Sequence, residues 1–266
     1  MSINLIFFGS SEYSLPVLDK LIHHQLTSND IQLRYVVTSP DKPVGRHLKL
    51  TPNPVKVLAQ KYQIHVIESL KKLPENFIDS HNQTLGLVAA FGQIIPQNIL
   101  SIFNNQIYNI HPSMLPKYRG PSPLQQQILD GEKDTGVTVI QLDAQMDHGP
   151  VVAQKKDVIL DTDTPPILGK RLFEKGTDLF LDLLQNNSLP KSIHPVAQDD
   201  SQSTYTRKLT RQDGFVPYPE LKSQLAAKSP LLDSKFRAYW PWPGLWTINP
   251  EGKRLKLLSL TPLKFS

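Results

Sequence analysis

The first forty residues constrain the fold more than any other stretch. Ile3-Asn4-Leu5-Ile6-Phe7-Phe8 is a nearly unbroken apolar run closed by Gly9-Ser10-Ser11, the pattern of a buried strand. From Ser14 to Gln25, Leu15, Leu18, Leu21 and Ile22 share one helical face, and Leu33 to Thr38 is strand-like again. A strand, a glycine turn and a helix are how a doubly wound α/β sheet begins. The turn Gly9 to Ser14 lacks the second and third glycines of a dinucleotide fingerprint. Tyr13 would also obstruct a pyrophosphate, so the sequence argues against NAD.

The pattern continues. Pro54 to Tyr62 reads as an amphipathic helix, Ile64 to Ile67 as a short strand and Leu85 to Ala90 as a buried one. Val151 to Gln154 and Asp157 to Leu160 read as a strand of alternating exposure. Thr162 or Asp163 is expected to cap a helix reaching about Leu184, with Leu168, Leu172, Leu179, Phe180 and Leu183 inward. Residues 186–203 are polar, proline-bearing and without period, as an interdomain linker would be. This predicts a first domain over 1–185 and a second unit over 204–266.

Charge follows the same division. Residues 1–185 hold 17 Lys/Arg against 18 Asp/Glu, whereas 186–266 hold 12 against 6. A basic C-terminal part on a neutral body suits a polyanion. There are no cysteines, which excludes disulfides, thiolate nucleophiles and Cys-bearing zinc sites. No apolar run approaches the ~20 residues that span a bilayer, and Ile3 to Phe8 is too short for a signal peptide. A soluble, cytoplasmic protein is expected.

The chemistry concentrates between Tyr108 and Pro150. Ile107-Tyr108-Asn109-Ile110-His111 alternates as a strand does, which puts Asn109 and His111 on one face just before Pro112 breaks it. Strand ends of this kind are where ligands sit in open parallel sheets. Asp147 follows 36 residues after His111, in a loop closed by Gly149-Pro150. An amide, an imidazole and a carboxylate suit acyl transfer to an amine: oxyanion stabilisation, proton delivery and proton removal. Taken alone, Asn109 as a turn cap and His111 as a satisfied edge histidine account for the same residues.

Asn109-Ile110-His111-Pro112-Ser113-Met114-Leu115-Pro116, followed by Asp147, resembles the active-site pattern of the 10-formyltetrahydrofolate-dependent formyltransferases. Met114 stands where that pattern has Leu, a volume-conserving exchange. Arg119 to Gln125 and Thr135 to Thr138 are similar to the branch that acts on methionyl-tRNA. The resemblance implies a Rossmann-like, mostly parallel sheet with helices on both faces, plus a small, shortened β-rich (OB-like) C-terminal unit. It also implies formyl transfer from 10-formyltetrahydrofolate to methionine on initiator methionyl-tRNA by a monomer, without a metal. Glycinamide ribonucleotide or an amino sugar is the alternative acceptor, and a non-catalytic tRNA or folate binder the alternative from another class.

Residue by residue, the resemblance makes Asn109, His111 and Asp147 catalytic. It assigns the folate pocket to Phe91, Gly92, Gln93, Ile94 and Ile95, to Ser113, Met114, Leu115 and Pro116, and to Leu142 and Asp143. The basic loop Pro40 to Pro52 is similar to one that reaches over the tRNA acceptor end, so Lys42, Gly45 and Arg46, with Arg119, are expected to contact tRNA. Trp240-Pro241-Trp242-Pro243-Gly244 and the strand Arg254 to Leu257 resemble elements of the C-terminal unit. Aromatics beside basic residues suit RNA, and they serve equally well as packing.

Overall fold

A computed structural model describes residues 2–44, 48–73, 78, 83–186, 189, 194–260 and 263–265. Its first strands are β1 (Ile3–Phe8), β2 (Ile31–Val37), β3 (Lys42–Val44), β4 (Lys49–Thr51), β5 (His65–Ile67) and β6 (Thr84–Val88). They are followed by β7 (Ile107–His111), β8 (Asp134–Gln141) and β9 (Val151–Val158), then β10 (Trp246–Ile248), β11 (Arg254–Leu260) and β12 (Leu263–Phe265). The helices are α1 (Leu15–Thr27), α2 (Pro54–Lys61), α3 (Gln97–Ile102), α4 (Pro123–Leu129), α5 (Pro165–Gln185), α6 (Tyr218–Ala226) and α7 (Pro230–Ala238).

Seven strands form one sheet in the order β5-β2-β1-β6-β7-β8-β9. The pairs from β5 to β7 are parallel, and β8 and β9 add antiparallel. The chain builds outward from β1 to β2 and β5, then returns to β6 on the other side. The carboxyl ends of β1 and β6 therefore frame a topological switch point, where such sheets bind ligands. Ser14 closes this corner: its hydroxyl donates to Ala89 O at 2.7 Å and accepts from the backbone of Ser10 and Ser11.

Period-two alternation divides the core. Leu5 and Phe7 of β1 face one cluster with α1 and α5, whereas Ile6 and Phe8 face a second with α3 and Phe103. On α5, Leu168, Leu172, Phe173, Phe180 and Leu184 are buried. Each contributes about 1.5–3 kcal/mol relative to exposure, so packing on β7 and β8 fixes this helix. At Gly176 an added methyl would collide with Ile110, so α5 presses directly on the strand that carries Asn109 and His111.

Three local expectations differ from what forms. The segment Pro40 to Pro52 contains the hairpin β3–β4, with Lys42 opposite Thr51. Each strand of a two-stranded ribbon keeps one free edge, and a proline nitrogen facing that edge costs no ladder bond. At α5, Thr164 is the N-cap, and neither Thr162 nor Asp163 takes that role. Asp163 is instead buried and receives the Arg171 guanidinium at 2.6 and 3.0 Å. Strand β9 does not alternate: Val151 to Ala153 and Asp157 are partly buried, whereas Gln154 to Lys156 and Val158 are exposed.

Beyond α5, the chain from 194 to 216 runs back over the first sheet. Val196 bridges Val151, and Tyr205 bridges Arg119. Helix α7 packs on α4, and Leu232, Ala238, Leu245 and Leu257 join the same apolar cluster as Leu18 and Leu124. Strands β10, β11 and β12 form a small antiparallel sheet. Among the described residues, no helix is long and apolar enough to cross a membrane.

Candidate active site

A cavity of about 490 Å³ opens at the switch point, within the ~300–1,000 Å³ usual for small-molecule sites. Val88, Phe91, Ile95, Leu142 and Phe173 give it apolar walls, and the loop Asp143 to Asp147 closes one side. Asn109 and His111 reach it from the end of β7, where alternation had placed them on one face. Both are nearly fully buried, at 9% and 4% exposure.

The three polar groups converge. Asn109 Nδ2 donates to Asp147 Oδ1 at 3.2 Å, and His111 Nδ1 lies 3.5 Å from that oxygen. The other oxygen, Oδ2, receives the Gly120 backbone N–H at 2.8 Å. His111 Nε2 sits 2.9 Å from Tyr118 O. A carbonyl only accepts, so Nε2 carries a proton, and Nδ1 is the ring nitrogen left for Asp147 and the cavity. Asn109 has two N–H groups and spends one on Asp147.

The backbone around this trio is strained. Ala90, Tyr118 and Asp147 have φ of 48°, 64° and 51°, a region that non-glycine residues seldom occupy, and Gly120 has φ 109°. Surrounding bonds hold these conformations. Tyr118 N donates to Thr204 Oγ1 at 2.8 Å, and its hydroxyl donates to Glu132 at 2.8 Å. Burial, then Glu132, pushes that phenol well above its ordinary range. Beside the trio, His148 Nδ1 lies 2.6 Å from Asp143 Oδ2, and this bond raises the imidazole above its usual 6.5.

The expected folate-pocket residues divide. Phe91, Gly92, Gln93, Ile94, Ile95, Leu142 and Asp143 all line the cavity. Ser113, Met114, Leu115 and Pro116 are not among its lining residues. Ser113 is fully buried, its hydroxyl donates to Lys117 O at 2.7 Å, and its carbonyl accepts from Thr138 Oγ1 at 2.7 Å. Leu115 N donates to the same Thr138 oxygen at 3.1 Å, and Met114 covers Gly136. This stretch braces β7 against β8 from behind.

Arg119 is placed differently from the expectation that it meets tRNA. It is wholly buried and donates to Gln198 Oε1 at 3.0 and 2.8 Å, to Tyr205 Oη at 3.0 Å and to Asp200 Oδ1 at 2.8 Å. No donor fork remains for a phosphate. Lys42 is exposed and lines a groove with Ser10, Ser39 and Gln93 that shares Ala90 to Gln93 with the main cavity. Gly45 and Arg46 lie outside the described residues. Sequence reasoning missed Ser11, Tyr13, Leu124 and Phe173 in the cavity wall. It also missed Gln198. The first four are ordinary apolar or turn residues, and Gln198 stands in patternless text, so no signal singled them out. Among the described residues, no group of three His, Cys, Asp or Glu could hold a metal.

Comparison with known proteins agrees with this geometry. The formyl transferase family model matches residues 3–184. A methionyl-tRNA formyltransferase of Sulfurovum is 35% identical over 252 residues, covering 94% of this chain and 77% of the relative. One of Geobacter sulfurreducens is 36% identical over 261 residues, covering 96% and 77%. Among solved structures, a 4-N formyltransferase of Francisella tularensis superposes with a TM-score of 0.71 at 16% identity, covering 97% of both chains. The fold, the strand-end Asn-x-His and the matched sequence agree: this chain belongs to the formyl transferase family.

Proposed function

We propose that this chain transfers a formyl group from 10-formyltetrahydrofolate to the α-amine of methionine on methionyl-tRNA, as a cytoplasmic monomer. The observation that carries the reading is the meeting of Asn109, His111 and Asp147 in one wall of an apolar cavity. The relatives named methionyl-tRNA formyltransferase support the choice of acceptor.

The cavity fits the donor. A flat pterin needs apolar walls and edge-on backbone partners. Phe91, Ile95 and Leu142 would supply the walls, and the turn Phe91 to Ile94 the backbone. When bound, the donor supplies a carbonyl carbon carried on a nitrogen leaving group. Asn109 offers its second N–H to the oxyanion that develops there. His111, anchored through Nε2, presents Nδ1 to the same region; in the imidazolium form, with both nitrogens protonated, Nδ1 donates to the oxyanion or hands its proton to the departing nitrogen, which leaves the ring neutral. Asp147 sits beside Nδ1 and accepts the proton lost by the attacking amine, directly or through a water.

The acceptor side rests on charge. Lys42 stands at the rim, Arg46 follows four residues later in the sequence, and the chain beyond 186 is basic. Arg254 lies over the Trp246 ring at 4.2 Å, and Trp242 is half exposed. These groups suit a phosphate backbone and unstacked bases. In this reading residues 1–185 carry the chemistry, 186–203 connect, and 204–266 help seat the tRNA. The test offers purified protein the formyl donor with methionyl-tRNA, glycinamide ribonucleotide or a nucleotide-linked amino sugar. Formyl-methionyl-tRNA is expected. Turnover confined to a small amine would replace the acceptor, and no turnover with any of them would end the reading.

A further inference from the structure

One amide outside the trio holds the strained Asp147 backbone in place. Gln198 Nε2 donates to Asp147 O at 2.9 Å and to Gly149 O at 2.8 Å. Its Oε1 accepts from Arg119 Nε at 3.0 Å and Nη2 at 2.8 Å. Guanidinium only donates, so Oε1 must face Arg119 and the NH₂ must face the two carbonyls; the amide has one permitted orientation. Arg119 is itself fixed by Asp200 and Tyr205, with its guanidinium 5.7 Å from the Tyr205 ring. Its chain neighbour Gly120 donates to the Asp147 carboxylate. Asp147 is thus held at both ends, its carbonyl by Gln198 and its carboxylate by the peptide after Arg119.

We infer that Gln198, oriented by buried Arg119, is a positioning residue for formyl transfer that fixes the Asp147 carboxylate beside His111 Nδ1. The inference rests on the proposed function for its kinetic part only. Asp147 has φ 51°, and relaxation out of that region would rotate its carbonyl and swing the side chain away from β7. Two hydrogen bonds to the carbonyls of 147 and 149 oppose that rotation. Gln198 touches neither cavity nor trio side chain, so it acts on the geometry of the chemical step and leaves donor affinity alone.

The test is Gln198→Glu, which keeps an oxygen for Arg119 and replaces the donating NH₂ with a second acceptor. The expected result is a kcat lower by about 10- to 100-fold, the effect of moving a reacting group by ~1 Å. KM for the donor should stay within about twofold, as expected when only the transition-state interaction is lost. The Gly120 amide proton, which hydrogen bonds to the Asp147 carboxylate, reports the displacement without catalysis: its NMR resonance moves upfield in the variant. A wild-type kcat with an unmoved Gly120 resonance overturns the inference. So does a kcat that falls only in step with melting temperature while Gly120 stays in place. If Gln198→Glu does not fold, Gln198→Asn, one methylene shorter, is read by the same two signals. A wild-type protein that forms no formyl product, in which Gly120 still responds to the substitution, rejects the proposed function and leaves the positioning role standing.

Discussion

Replacing Gly120 with alanine would couple backbone strain directly to the site. Gly120 has φ 109°, and a Cβ there would lie 2.6 Å from Thr206 O and 2.8 Å from Thr206 Oγ1. An L-residue at that φ costs roughly 1–3 kcal/mol. The collision is with backbone of the segment that crosses the site, where Thr206 N donates to Arg119 O at 2.7 Å. Relief therefore requires the 119–120 peptide to turn, which removes the Gly120 N–H from Asp147 Oδ2. A hydrogen bond to a charged, mostly buried carboxylate contributes about 1.5–3 kcal/mol. Together these give roughly 2.5–6 kcal/mol. At about 2–4 °C per kcal/mol for a chain of this size, the melting temperature should fall by on the order of 5–20 °C. With Asp147 released, kcat should fall about 100-fold while donor binding survives. Calorimetry and titration with a non-transferable folate measure the two effects. A variant that melts within a degree of wild type and turns over normally would refute the reasoning.

The remaining predictions concern charge. His148 has a folded pKa above its unfolded 6.5, so its bond to Asp143 stabilises fully below that value and is lost as pH rises through the folded pKa. The melting-temperature gap between wild type and His148→Asn should be widest in acid and close in mild alkali; a gap constant across pH would contradict it. Arg119→Lys loses the fork that holds Gln198 and Asp200 together. It should lower the melting temperature yet leave the salt dependence of tRNA affinity unchanged, because the wild-type guanidinium reaches no phosphate. A shallower salt slope would restore Arg119 to the interface. Lys42→Ala should weaken tRNA binding and flatten that slope by about one contact, without changing donor affinity; equal tRNA binding at low and moderate salt would remove Lys42 from the acceptor side.

Much of the fold is legible where periodicity is strong. Strand β1, helix α1 and the buried run Leu85 to Val88 follow from local patterning alone, and strand parity places Asn109 and His111 on one face. Asp147 is different. Nothing local joins it to β7; the loop needs Gly149 pressed against Gln141 O, a left-handed backbone and Gln198 from 51 residues away. Only a resemblance spanning the whole motif could pair it with His111. The same cause hid the real work of Arg119. A basic residue between Tyr118 and Gly120 reads as an exposed loop cation, and its burial becomes visible only when Gln198, Asp200 and Tyr205 return over it. Ser113 and Leu115 show the limit from the other direction: their motif adjoins the site in sequence, yet their backbone is tied to Thr138 of β8.

The account depends on Asp147 acting in the chemical step rather than merely closing a loop. Single-turnover transfer from saturating 10-formyltetrahydrofolate to methionyl-tRNA by Asp147→Asn tests this most directly, since asparagine can keep the Gly120 hydrogen bond and the loop it closes. The account predicts a chemical step slowed by about 100-fold or more, with donor affinity and melting temperature near wild type. Transfer at the wild-type rate would contradict it.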